Sequence, residues 1–170
     1  MKSRESLKRV VSWLVVGAWM IVIFLLSAQN ASQSGKTSGG VVRWLLSLLY
    51  GDFADFSPLR QQELLQAWHT VVRKGAHFSE YAVLAILIAN ALRVCGKLRW
   101  FLPVVLSGAY ALTDEIHQYF VPGRACSLLD VGIDTCGALF GTALFLLGMF
   151  LYQKVRNIRQ TKRECRRRDF

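Results

Sequence analysis

The chain has 170 residues, 53% of them hydrophobic, and carries a formal net charge of +10. It is long enough for one domain and too apolar for an ordinary soluble one. The basic charge sits mainly in two tails beside apolar runs, with no nucleic-acid recognition module, so nucleic acid is excluded as a partner and the bilayer is expected instead. The four cysteines, Cys95, Cys126, Cys136 and Cys165, show no CxxC spacing, which argues against a disulfide framework and a thiolate zinc site.

Val10 to Ala28 is uncharged over 19 residues, close to the ~20 needed to cross a bilayer core. It is longer than a signal-peptide core and no A-x-A site follows, so it reads as a retained first span, about 10–28. Gln29 to Gly40 is polar and rich in Ser and Gly, a loop pattern. Val41 to Tyr50 is apolar but too short to span, and predicts an interfacial helix. Pro58 predicts another helix start, with Leu64, Leu65, Trp68, Val71 and Val72 near helical spacing. The whole segment Gln29–Val72 is expected to lie on the membrane and cover what lies beneath, anchored by Trp44, Tyr50 and Trp68.

Three further spans follow, at about 75–93, 100–120 and 128–152. The fold expected is therefore all-α, an integral membrane bundle of four transmembrane helices with short interfacial helices between spans one and two. Residues 1–152 form the membrane domain and 153–170 a basic cytoplasmic tail. With both termini inside, the N-terminal flank, the turn at 93–99 and the C-terminal tail together hold 15 of the 21 Lys and Arg. Eight of the 11 acidic residues fall on the other side. That distribution obeys the positive-inside rule.

On this topology the polar residues of the last three spans share one depth, near the outer face. Arg73, Lys74, His77 and Glu80 open the second span. Asp114, Glu115, His117 and Gln118 close the third. Asp130 and Asp134 open the fourth, and Arg124 lies in the loop between. Spacings of three and four put these residues on single helix faces. Charged groups at membrane depth are expensive and mark functional sites by default, although an ion-pair network that only fastens helices is the competing reading. A fastener does not need two histidines and five acids, since small or hydroxyl residues pack spans more cheaply.

His77, Glu80, Asp114 and His117 are the candidate acid/base groups, because a histidine beside a carboxylate is the usual arrangement for proton transfer. Arg73, Lys74, Glu115, Gln118, Arg124, Asp130 and Asp134 are the candidate binding groups. No cofactor is expected. A divalent metal is the one candidate, since His-x-x-Glu, Asp-x-x-His and Asp-x-x-x-Asp together offer enough N and O donors, although no HExxH motif is present.

The stretches Arg73-Lys74-x-x-His77-Phe78-x-Glu80-Tyr81, Asp114-Glu115-x-His117-Gln118-x-Phe120-x-Pro122-Gly123-Arg124 and Asp130-x-x-x-Asp134-x-x-Gly137 resemble the VanZ-like family. Ser27-x-Gln29 at the end of the first span is also similar to its pattern, and Ala125-Cys126 departs mildly from it. The resemblance covers about residues 10 to 152. It implies a multi-pass protein of the bacterial cytoplasmic membrane with an envelope-related role, named for a member associated with teicoplanin resistance. It brings no established catalytic mechanism. Three functions are compatible with the residues. One is a factor lowering glycopeptide susceptibility by acting on a lipid or cell-wall component. The second is a membrane-embedded acid/base or metal-dependent enzyme acting on a lipid-linked precursor. The third is a proton-coupled carrier, for which the charges lie too close to one face.

Overall fold

The computed structural model describes residues 2–29, 31–92, 97–122 and 126–168, with side chains described from 4 to 29, 39 to 92, 97 to 122 and 126 to 160. Arg124, Cys95 and the turn residues 93–96 lie outside the described residues, as does the side chain of Cys165. Within them the chain is helical, with no strand. The elements are α1 (Lys2–Ser27), α2 (Ala31–Leu49), a 3₁₀ turn (Phe53–Asp55), α3 (Pro58–Leu92), α4 (Leu98–Tyr119) and α5 (Leu128–Arg168).

Three of these are long and apolar enough to cross a membrane: Arg4–Ser27 in α1, Pro58–Leu92 in α3 and Leu128–Gln160 in α5. The 22-residue α4 is not among them. Its apolar stretch is cut short by Arg99 at one end and by Asp114 and Glu115 at the other.

Two expected boundaries are absent. The Ser- and Gly-rich stretch that read as a loop is the first half of α2. Its weak helix propensity yields to packing at the other end, where Val42 and Leu46 are fully buried. The helix starting at Pro58 and the second span are one unbroken 35-residue helix, about 52 Å long. Arg73, Lys74 and Glu80 looked like the polar edge of a span, but such residues are good helix formers and a charge cluster does not end a helix. Pro58–Val72 therefore continues the axis of the span.

α2 and the first half of α3 form a helical hairpin. Ser57 and Pro58 start α3, the Ser57 hydroxyl accepting from the Arg60 N–H at 3.5 Å. Gln61 Nε2 donates to the carbonyls of Ala54 and Phe56 and fixes the turn. The hairpin has its own apolar cluster of Val42, Leu46 and Phe53, with Phe56, Leu64, Leu65, Trp68 and Val72 against it.

The second cluster, Val16, Ile23, Tyr81, Leu84, Ile88, Ala91 and Ala111, joins α1, α3 and α4. α3 and α5 approach most closely. A Cβ built at Gly137 would strike the Phe78 backbone, and one at Gly141 the Ala82 backbone. Both pairs are four residues apart, so α3 and α5 run parallel across a small-xxx-small crossing. Tyr110 Oη donates to the Met20 carbonyl at 2.7 Å and Ser27 Oγ to Asp114 Oδ1 at 2.5 Å, so α1 and α4 also run parallel. Glu115 meets Ser127 while Gly108 faces Thr135, which makes α4 antiparallel to α5. The end of α1, the end of α4, the start of α5 and the middle of α3 thus meet at one end of the bundle. Elsewhere the helices expose Phe101, Val105, Leu112, Ile116, Leu139, Phe140 and Leu147, more apolar surface than a water-soluble monomer shows.

Candidate functional site

α4 supplies the site's buried wall. Ser107, Ala111, Asp114, Glu115 and Gln118 are its inward residues, at helical spacing. Asp114 is 3% exposed and Glu115 2%. A buried carboxylate costs several kcal/mol unless it is partnered, and both are. Asp114 accepts from Ser27 Oγ at 2.5 Å and from Gln118 Nε2 at 3.1 Å. Glu115 Oε1 accepts from the backbone N–H of Ser127 at 2.6 Å. Ser127 immediately precedes α5, so this carboxylate holds the N-terminal end of one helix to the C-terminal end of another.

α3 and α5 supply the other wall. Asp130, in the first turn of α5, reaches two cations of α3: Lys74 Nζ lies 3.1 Å from Oδ1 and Arg73 Nη2 3.9 Å from Oδ2. One turn further along, His77 Nδ1 stands 3.9 Å from Glu80 Oε2 and 3.9 Å from Asp134 Oδ1. Asp134 is 2% exposed, and its Oδ1 has no hydrogen-bond partner among the described residues. Asp114, Asp130, Glu115 and Glu80 all lie within electrostatic reach of it. A cleft of about 10 Å³, lined by Arg73, Lys74, His77, Asp130, Ile133 and Asp134, opens at this point. That volume holds roughly one water molecule.

The crossing at Gly137 and Gly141 sets this register. It lays Phe78 against Gly137 and so brings His77 to Asp134, one turn before Gly137 on α5. The structure thereby brings together Arg73, Lys74, His77, Glu80, Asp114, Glu115, Gln118, Asp130 and Asp134. His77 meets Glu80 and Asp134. His117 stands apart from that group, its ring 4.4 Å from Phe24 of α1 and its Nε2 buried with no hydrogen-bond partner among the described residues.

Two residues outside the expected set belong to the site. Ser27 clamps Asp114; its signal in the sequence is a hydroxyl at the last turn of an apolar run. Tyr81 is fully buried, its hydroxyl has no hydrogen-bond partner among the described residues, and the carboxylates of Asp114 and Asp134 act on it electrostatically. Its signal is a phenol four residues after His77, on the same helical face. No group of three or more His, Cys, Asp and Glu side chains able to hold one metal ion is found among the described residues.

The stretch that holds these residues lies inside the region matched to a known family. A family model described as VanZ/LLP1 matches residues 12–151, which take in all of α3 and α4 and most of α1 and α5. The chain belongs to the VanZ/LLP1 family. No curated protein and no solved structure matches it. Membership and the long apolar helices fit an envelope-related membrane protein. Within this family member, the matched region contains every polar contact of the site described above.

Proposed function

We propose that this VanZ/LLP1 protein crosses the bacterial cytoplasmic membrane four times with both termini cytoplasmic. On this reading it lowers susceptibility to glycopeptides such as teicoplanin by engaging a lipid or cell-wall component at its outer face. α4 is the added span; its outward side is apolar along Phe101, Val105, Leu112 and Ile116, as lipid contact requires. The parallel pairing of α1 with α4 and of α3 with α5 supports alternating spans. The basic tails then lie on the cytoplasmic side.

The observation that carries the functional reading is Asp134. Asp114 and Glu115 are hydrogen-bonded and would serve a fastener. Asp134 is equally buried, lacks such a partner at Oδ1, and faces the cleft beside His77. A buried unsatisfied carboxylate calls for an explanation outside stability. Arg73 and Lys74, at the mouth of the cleft, are the groups that would hold the anionic headgroup of an envelope lipid or lipid-linked precursor. The test is teicoplanin susceptibility of a sensitive Gram-positive host expressing the protein; no shift relative to empty vector would count against this reading.

A second reading is favoured by His77 lying between Glu80 and Asp134. In a membrane-embedded enzyme, His77 would move the proton and Asp134 would orient it, with the one-water cleft holding the attacking water. Turnover of a lipid-linked phosphoester precursor by purified protein, with and without divalent metal, separates the two readings and tests the metal as well.

A further inference from the structure

The cation pair at the mouth of the cleft already carries an anion. Asp130 sets one carboxylate oxygen toward Lys74 and the other toward Arg73, as two oxygens of a phosphoryl group would be set. The contact is partly exposed: the side chains of Arg73 and Lys74 are each 37% exposed and that of Asp130 24%, while the Asp130 Oδ1 atom that faces Lys74 is shut from solvent and makes no hydrogen bond among the described residues. Pairs this exposed contribute little stability, about 1 kcal/mol or less. Such a contact is easily exchanged. Its carboxylate also lines the cleft with Asp134, and the cleft has room for about one water. No headgroup fits while Asp130 holds that position.

We propose that Asp130 is an internal competitor for the seat between Arg73 and Lys74, and that the phosphoryl group of an anionic ligand displaces it to reach His77 and Asp134. This rests on the headgroup reading given above and adds the step that admits the ligand. Exchange suits the local charge. Five carboxylates already crowd this end of the bundle, so an additional anion is repelled unless one of them leaves the cations. Asp130 is the one that can: it is the carboxylate seated on Arg73 and Lys74, in the first turn of α5 and partly exposed, whereas Asp114, Glu115 and Asp134 are buried and Glu80 faces His77. Its departure unlids the cleft along Ile133 and Asp134.

The test is calorimetric titration of the full chain in phosphatidylcholine nanodiscs, with dihexanoyl phosphatidic acid in one arm and inorganic phosphate in the other. Asp130→Asn is expected to bind about five-fold more tightly than wild type, the size of a lost exposed ion pair. Lys74→Gln is expected to bind more weakly in either background. Tightening in the lipid arm alone assigns the seat to a headgroup, and tightening in both arms assigns it to phosphate in general; each supports displacement. Asp134→Asn removes the same charge one turn away without freeing Arg73 and Lys74, so equal tightening there would overturn the proposal as a mere field effect. Equal affinity of wild type and Asp130→Asn would overturn displacement and leave the headgroup reading standing. Absence of binding in every protein and both arms would overturn both. Helical circular dichroism of Asp130→Asn establishes that α5 still forms.

Discussion

Ser27 and Asp114 are 87 positions apart and share a 2.5 Å hydrogen bond in the buried end of the bundle. The bond ties the last turn of α1 to the inward face of α4. Losing the hydroxyl strands a buried carboxylate oxygen, which costs about 1–3 kcal/mol. Ser27→Ala is therefore expected to lower thermal stability in detergent clearly. Asp114→Asn keeps an oxygen acceptor and is expected to cost less than Asp114→Leu. Unfolding followed by size-exclusion after heating checks the order.

The α3–α5 crossing depends on two absent side chains. Gly141→Ala and Gly137→Ala would each drive a methyl group into the backbone of α3. Each is expected to cost about 1–3 kcal/mol, as overpacking does. Gly148→Ala meets no neighbouring atom and should be neutral or slightly stabilising. Apparent melting temperatures of the three variants test this. Equal behaviour of Gly148→Ala and Gly141→Ala would contradict the crossing.

Glu115 holds the entry to α5 through a carboxylate that accepts a backbone N–H. Glu115→Gln keeps the acceptor and should preserve the junction. Glu115→Ala should loosen it, with faster amide exchange at Ser127 to Val131 and a loss of about 1–3 kcal/mol. Unchanged exchange in Glu115→Ala would show that the loop is held elsewhere.

Arg73 and Lys74 separate stability from function. Their contacts with Asp130 are partly exposed, so Lys74→Ala should change stability by about 1 kcal/mol or less. If the pair holds a headgroup, the same substitution removes most of the protection from teicoplanin. Protection that survives Lys74→Ala undiminished would detach this cation from the site.

Much of this arrangement was legible along single helices. Asp114, Glu115 and Gln118 form an inward face because an otherwise apolar helix cannot turn them toward lipid. Glu80 near His77 follows from helical spacing alone. The pairing of His77 with Asp134 was not legible. It depends on which small residues of α5 lie against α3, and α5 offers Gly132, Gly137, Gly141 and Gly148. Only packing selects the middle two. His117 shows the same limit from the other side: i, i+3 spacing allows a contact with Asp114, but its ring settles on Phe24. The unbroken α3 was not legible because Arg73, Lys74 and Glu80 mark where the surroundings of the helix change and not where it ends.

On the proposed function, the buried polar end of the bundle acts chemically and does more than fasten helices. Asp134→Asn tests it most directly, because it removes a charge and keeps the shape at a carboxylate whose Oδ1 makes no hydrogen bond among the described residues. Teicoplanin susceptibility would be measured in a sensitive Gram-positive host carrying wild type or Asp134→Asn at matched membrane levels. Wild type is expected to protect, and Asp134→Asn, though stably folded, is not. Equal protection by both would contradict the proposed function.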